Sequence, residues 1–266
     1  MTDSKRLFLT MLVVFCLGIL VSQGCRADEA PTYPGANIQF ADYTGDESPR
    51  AVIPPNTPLD EVTLPLEQSG ADTNAQGMTY AAVLSGYYIL RVQQEDGLFG
   101  YQYTIADGTW ADDNSIHRQC GSTITQAWMY RVTGREEFLL SAKRALAAIY
   151  QETSELEDGS LFLRDLGGVS LLAIATSLVA IHGETTEYDE QLDKLGAYIL
   201  GKVGEDGEIS GGDGYFLKQG QAMQALEHLH AYTEEDAYLD ALERSTRWLI
   251  ANPEEHQYGP YMALWN

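Results

Sequence analysis

Cysteine is scarce. The 266 residues hold three, at positions 16, 25 and 120. Cys16 lies in an apolar N-terminal run from Leu7 to Val21 and Cys25 just beyond it, so Cys120 is the one thiol in the body of the chain. That excludes a disulfide framework and a cysteine-rich zinc site. A chain of this length must then be held by its core. Basic residues are few as well: 16 Lys and Arg stand against 39 Asp and Glu, a formal net charge of −23. Such a surface repels polyanions, so no nucleic-acid partner is expected. Long apolar runs are also missing. No stretch reaches the roughly 20 residues that a membrane-spanning helix needs.

What is present at the N-terminus reads as a secretory signal. Lys5 and Arg6 precede the apolar run, and Ser22, Gln23 and Gly24 lead to Cys25. The arrangement resembles a bacterial lipoprotein signal, although that family usually has Leu and then Ala or Ser where Ser22 and Gln23 stand. The resemblance implies lipidation at Cys25 and a membrane anchor in the cell envelope. Arg26, rather than Asp, after the cysteine points to the outer membrane. Simple cleavage near the same point, giving a periplasmic or extracellular protein, is the alternative. Residues 26–72 are rich in Pro, Asp, Glu, Thr and Gly and show no sustained period, which predicts a flexible or extended acidic tether. The domain proper is expected over 73–266.

That domain repeats. "YILRVQQEDG" (88–97), "AIYQETSELEDG" (148–159) and "YILGKVGEDG" (198–207) each read as a helix end followed by an Asp-Gly turn. Tight helix–helix turns lie between them, with Thr133, Gly183 and Thr233 spaced by fifty residues. Each unit is a helical hairpin. Cys120, Ile124, Ala127 and Trp128 form one helical stripe; Phe138, Ala142, Ala145, Leu146 and Ile149 form the next. "VSLLAIATSLVAI" (169–181) is apolar on nearly every side and predicts a helix buried all round. With a further helix over 74–93 the pattern predicts about seven helices. The expected fold is all-α, a partial or complete α/α toroid with inner and outer layers. An α-solenoid of the tetratricopeptide kind is the competing architecture. Its repeats are shorter, and it lacks the alternation of short turns with long aromatic loops seen here.

The long loops lead to the N-termini of the inner helices, where N–H groups are exposed and the helix dipole is positive. A shift of 100 residues places Arg118-Gln119 on Lys218-Gln219. A cation there opposes the dipole, so both pairs are candidates for binding an anionic group; pairing with nearby Asp112, Asp113 or Asp213 is the plainer explanation. The loops also carry Tyr101, Tyr103, Trp110, Arg164, Asp165 and Tyr215, and the C-terminal segment adds His256 and Tyr258. Aromatics for stacking and polar groups for hydroxyls suit a sugar. The candidate catalytic set is Asp112, Asp113, Tyr103, His117, Asp213 and Tyr258, working as general acids and bases. The candidate substrate-binding set is Arg118, Gln119, Lys218, Gln219, Trp110, Tyr101, Tyr215, Arg164 and His256.

Other chemistry fits less well. His117 and Cys120 stand three apart on a helix and could present two metal ligands, but no further cysteine exists and His228 and His230 point apart. No metal and no cofactor are expected. A thiol near a helix N-terminus can be activated, yet Cys120 sits in an apolar stripe and reads as core.

"LKQGQAMQALEHLHAYTEEDAYLDALERSTRWL" (217–249) resembles the helical hairpin of the C-terminal α/α domain of D-glucuronyl C5-epimerases, and more broadly the six-hairpin carbohydrate-active toroids. "RQCGSTITQAWMYRVTGREEFLLSAKRAL" (118–146) fits the same pattern. The likeness covers about 150 residues. It implies a domain that binds or acts on a carbohydrate, an acidic one for choice, with epimerase, lyase or hydrolase chemistry. The chain lacks the large β-rich part of that family, which keeps a non-catalytic surface module for protein or glycan binding as the second reading.

Overall fold

The computed structural model describes residues 73–104, 109–110, 114–211 and 216–252. The chain divides into two compact units, Met1–Ser85 and Gly86–Asn266. Helix α1 (Thr73–Arg91) crosses the division, and its first part is all that is described of the first unit.

The second unit is all-α. It contains α2 (Ile116–Thr133), α3 (Glu136–Tyr150), α4 (Leu166–His182), α5 (Asp189–Leu200), α6 (Phe216–Thr233) and α7 (Asp236–Ala251). Two-stranded ribbons interrupt them, β1 (Tyr103–Thr104) with β2 (Thr109–Trp110), and β3 (Ser154–Glu155) with β4 (Leu161–Phe162). Helix α4 packs mainly between α2 and α6; α3, α5 and α7 each pack on their hairpin partner. The inner layer is therefore α2, α4 and α6, and the outer layer is α3, α5 and α7, the layering of an α/α toroid.

Sequence explains which helix goes where. Every residue of α4 from Leu166 to Ala180 is buried. Ser170 is satisfied within the helix, its Oγ donating to Leu166 O at 2.7 Å, and Thr176 Oγ1 pairs with the Tyr150 hydroxyl of α3 at 2.8 Å. Outer helix α3 buries one face, the stripe Phe138, Ala142, Ala145, Leu146 and Ile149 with Leu139 and Ser141 beside it, and starts with Glu136 and Glu137 facing the positive dipole end. Gly86 lets the end of α1 close on α2. A Cβ there would lie 2.4 Å from Met129 Cγ, and Gln126 Nε2 donates to Gly86 O at 3.0 Å.

Both kinds of connection repeat. At the short turns, residues 134, 184 and 234 all adopt left-handed φ: 68° for Gly134, 47° for Glu184 and 61° for Glu234. Thr133 and Thr233 cap these turns alike, each donating to the carbonyl four residues back. At the long connections, Asp96, Asp158 and Asp206 each accept the N–H two residues on, at 2.9–3.0 Å. The following glycines take φ of 94°, 82° and 95°. Arg144, Lys194 and Arg244 stand fifty apart on the three outer helices. Each serves the turn that leaves the preceding outer helix. Arg144 donates to Gln94 O at 3.0 Å, Lys194 meets Glu155 at 2.8 Å, and the Arg244 backbone abuts Gly207.

Candidate functional site

The first turns of the three inner helices meet at one carboxylate. Asp165 is the N-cap of α4: its Oδ1 accepts Gly168 N at 2.9 Å. The same oxygen lies 2.9 Å from His117 Nε2 in the first turn of α2. Oδ2 lies 3.1 Å from Lys218 Nζ in the first turn of α6. Close backbone approach is needed to hold this geometry. A Cβ on Gly168 would sit 2.4 Å from Leu163 O, so only glycine fits there. The residue before the cap, Arg164, is exposed at φ 59°.

The electrostatics favour the carboxylate. Partial burial by itself would raise the Asp165 pKa, but the Gly168 N–H, His117 and Lys218 together outweigh it and hold the pKa at about 2. One carboxylate thereby serves the Lys218 ammonium, which stands against its own helix dipole, and the His117 ring. If Nε2 of His117 donates to Asp165, Nδ1 is left as the basic nitrogen; it meets no partner among the described residues. The His117 side chain is 31% exposed, so a ligand can reach it.

The aromatics are arranged on the loop that precedes α2. The Arg118 guanidinium lies over the Tyr101 ring, 5.0 Å from its centroid. Tyr103 and Trp110 face each other across β1 and β2 at 5.1 Å, tilted by 58°. Both are exposed, at 47% and 39%. Trp110 rests on Gly100, where a Cβ would come within 2.7 Å of the indole.

The structure separates residues that look equivalent in sequence. Arg118 and Lys218 coincide under a 100-residue shift, yet Arg118 covers a tyrosine while Lys218 is committed to Asp165 of the neighbouring repeat. Gln119 does not present its amide to a ligand. Gln119 is 2% exposed and bonds Phe99 N, Phe99 O and Asn114 Oδ1 at 2.7–2.8 Å. Gln219 Nε2 donates to Ile209 O at 3.2 Å. The substrate-binding expectation for Gln119 is corrected: a buried polar side chain satisfies the backbone of its own loop first; half-buried Gln219 stays a candidate. Arg164 shares no hydrogen bond or ion pair with the cluster among the described residues. Asp112, Asp113, Asp213, Tyr215, His256 and Tyr258 lie outside the described residues, as does Cys25. Asp165, which joins the site together, was legible as a loop carboxylate, but not as the cap of α4 or as a partner of His117 and Lys218.

Cys120 is fully buried, and burial pushes its thiol up to about 12. It stays protonated and is part of the core. Further along the inner helices, the Trp128 and His182 rings meet at 5.3 Å, tilted by 55°, and Arg131 lies over Trp128 at 4.8 Å. Burial, with Arg131 and His228 nearby, lowers His182 to about 4, and burial lowers His228 to about 4. Both rings are neutral near pH 7. Among the described residues no helix is long and apolar enough to cross a membrane.

No family model matches the sequence, and no curated protein matches it. Among solved structures the chain is similar to a cellobiose 2-epimerase from Bacillus thermoamylovorans B4167, at 16% sequence identity and a TM-score of 0.47. The alignment covers 67% of this chain and 55% of that enzyme, so the chain spans little more than half of the enzyme's length.

Proposed function

We propose that the long-loop face binds a carbohydrate and that the preferred ligand is acidic. One observation carries the reading: the exposed Tyr103–Trp110 pair stands on a ribbon whose stem also brings Tyr101 under Arg118. Aromatic faces take the C–H side of a sugar ring. A guanidinium beside them, in a chain of net charge −23, is placed to take a carboxylate or sulfate. His117 is the described side chain best placed to move a proton for such a ligand, with Asp165 orienting its ring. Asp112, Asp113 and Asp213 remain candidates for the partner acid, and Tyr215, His256 and Tyr258 for further contacts.

A second reading has its own support. Lys218 and one nitrogen of His117 are both engaged by Asp165, as in a purely structural knot, which suits a non-catalytic binding module. Incubation of the mature domain with a panel of acidic and neutral oligosaccharides, followed by product analysis, separates the two. New products made by the wild type and absent with His117→Ala support catalysis. Retention of acidic glycans without turnover supports the module. Retention of neither removes the carbohydrate reading. Export and lipid anchoring through Cys25 belong to the same proposal. Mass spectrometry of the protein from membranes should give a diacylated or triacylated Cys25, and an unmodified N-terminus beyond residue 25 would contradict it.

A further inference from the structure

Gln119 stands in the first turn of α2 between Arg118 and Cys120, with its side chain turned inward. Its three bonds reach two separated points of the chain. The carbonyl oxygen accepts Phe99 N at 2.7 Å, and the amide donates to Phe99 O at 2.8 Å. The amide also donates to Asn114 Oδ1 at 2.8 Å. Phe99 and Asn114 flank the segment that carries β1 and β2. One side chain therefore holds both stems. Phe99 is in turn bridged to Gln93 of the Asp96-Gly97 turn, and Gly100 N donates to Val92 O at 2.8 Å. Past this anchor come Gly100, on which Trp110 rests, and Tyr101, on which Arg118 rests. Helix α6 carries a related contact: Gln219 Nε2 donates to Ile209 O, and Ile209 is bridged to Val203.

We infer that Gln119 is the positioning residue of the glycan site, a buried amide that touches no ligand and sets the aromatic ribbon beside Arg118. The inference rests on the carbohydrate reading above. Without the latch the Phe99 stem loses its two bonds to α2 and Asn114 loses one, and the ribbon that carries Tyr103 and Trp110 is held less firmly beside Tyr101 and Arg118. The cost to a ligand is then the cost of ordering the ribbon on binding.

The test uses the full mature chain, a uronate hexasaccharide as probe, and the variants Gln119→Met, Trp110→Ala and the double variant. Methionine keeps the volume and removes the hydrogen bonds. Thr123→Ala, which loses only a bond to the backbone of α2, controls for general destabilisation. The expected result is binding at least tenfold weaker for Gln119→Met, little further loss when it is added to Trp110→Ala, and near wild-type binding for Thr123→Ala. Amide exchange should quicken around residues 99–104 while α2 stays protected. Wild-type binding with Gln119→Met equally tight, or with losses that simply multiply in the double variant, overturns the inference and leaves the carbohydrate reading intact. A wild type that binds no uronate overturns both.

Discussion

Asp165 at the start of α4 and Lys218 in the first turn of α6 approach to 3.1 Å across two repeats, with His117 on the other oxygen of the same carboxylate. The contact joins three inner helices at their N-termini. Asp165→Ala removes the cap and takes away the acceptor that His117 and Lys218 share. It should cost about 2–3 kcal/mol, against about 1 kcal/mol for Asp165→Asn, which keeps a capping oxygen. Urea denaturation of the two variants measures the difference.

Acid should weaken the fold in two stages. His182 and His228 have folded values of about 4, below the roughly 6.5 of an unfolded histidine. The unfolded chain therefore binds their protons first, and stability falls as pH drops from about 6.5 to 4. Asp165, held at about 2 against roughly 3.9 when unfolded, loses its contribution as pH falls from about 4 to 2. His228→Gln should flatten the upper stage and leave the lower one. Unfolding free energies measured across pH 3–8 check the upper stage and the onset of the lower.

Cys120 should be dispensable for any activity. With its thiol at about 12 it should resist aromatic disulfide reagents at pH 8 in the native state and react on unfolding. Cys120→Ala should cost about 1–2 kcal/mol as a small core truncation. Loss of activity in a fully folded Cys120→Ala variant would make the thiol functional.

Glu234 holds φ at 61° in the turn between α6 and α7, where the equivalent residue of the first hairpin is Gly134 at 68°. Glu234→Gly relieves left-handed strain but adds freedom to the unfolded chain. The net gain should be about 0.5–1 kcal/mol, read from the thermal or chemical midpoint.

The helices were legible because their signals are local. The stretch 169–181, apolar on nearly every side, marked a buried inner helix, and the fifty-residue spacing of Thr133, Gly183 and Thr233 marked the hairpin turns that the left-handed residues 134, 184 and 234 make. The site was legible in part. Its location followed from the alternation of short and long connections. The meeting of His117 with Asp165, 48 residues away, did not, since no spacing rule reaches from one inner helix to the next. Gln119 is harder still. On a helix, neighbours point about 100° apart, so Arg118 can face out while Gln119 faces in. A buried glutamine whose chief partner is the backbone of Phe99 leaves no side-chain signature to read.

The central claim is that Arg118 and the Tyr103–Trp110 pair form one acidic-glycan site. Calorimetric titration of a uronate hexasaccharide into wild type, Arg118→Ala and Trp110→Ala tests it most directly. The account predicts binding to the wild type and a loss of about 1.5–3 kcal/mol for Arg118→Ala, as for a charge-assisted hydrogen bond, with the melting temperature almost unchanged. It also predicts a comparable loss for Trp110→Ala and weaker binding of the neutral hexasaccharide by every form. Equal binding by wild type and Arg118→Ala, or no binding by the wild type, would contradict it.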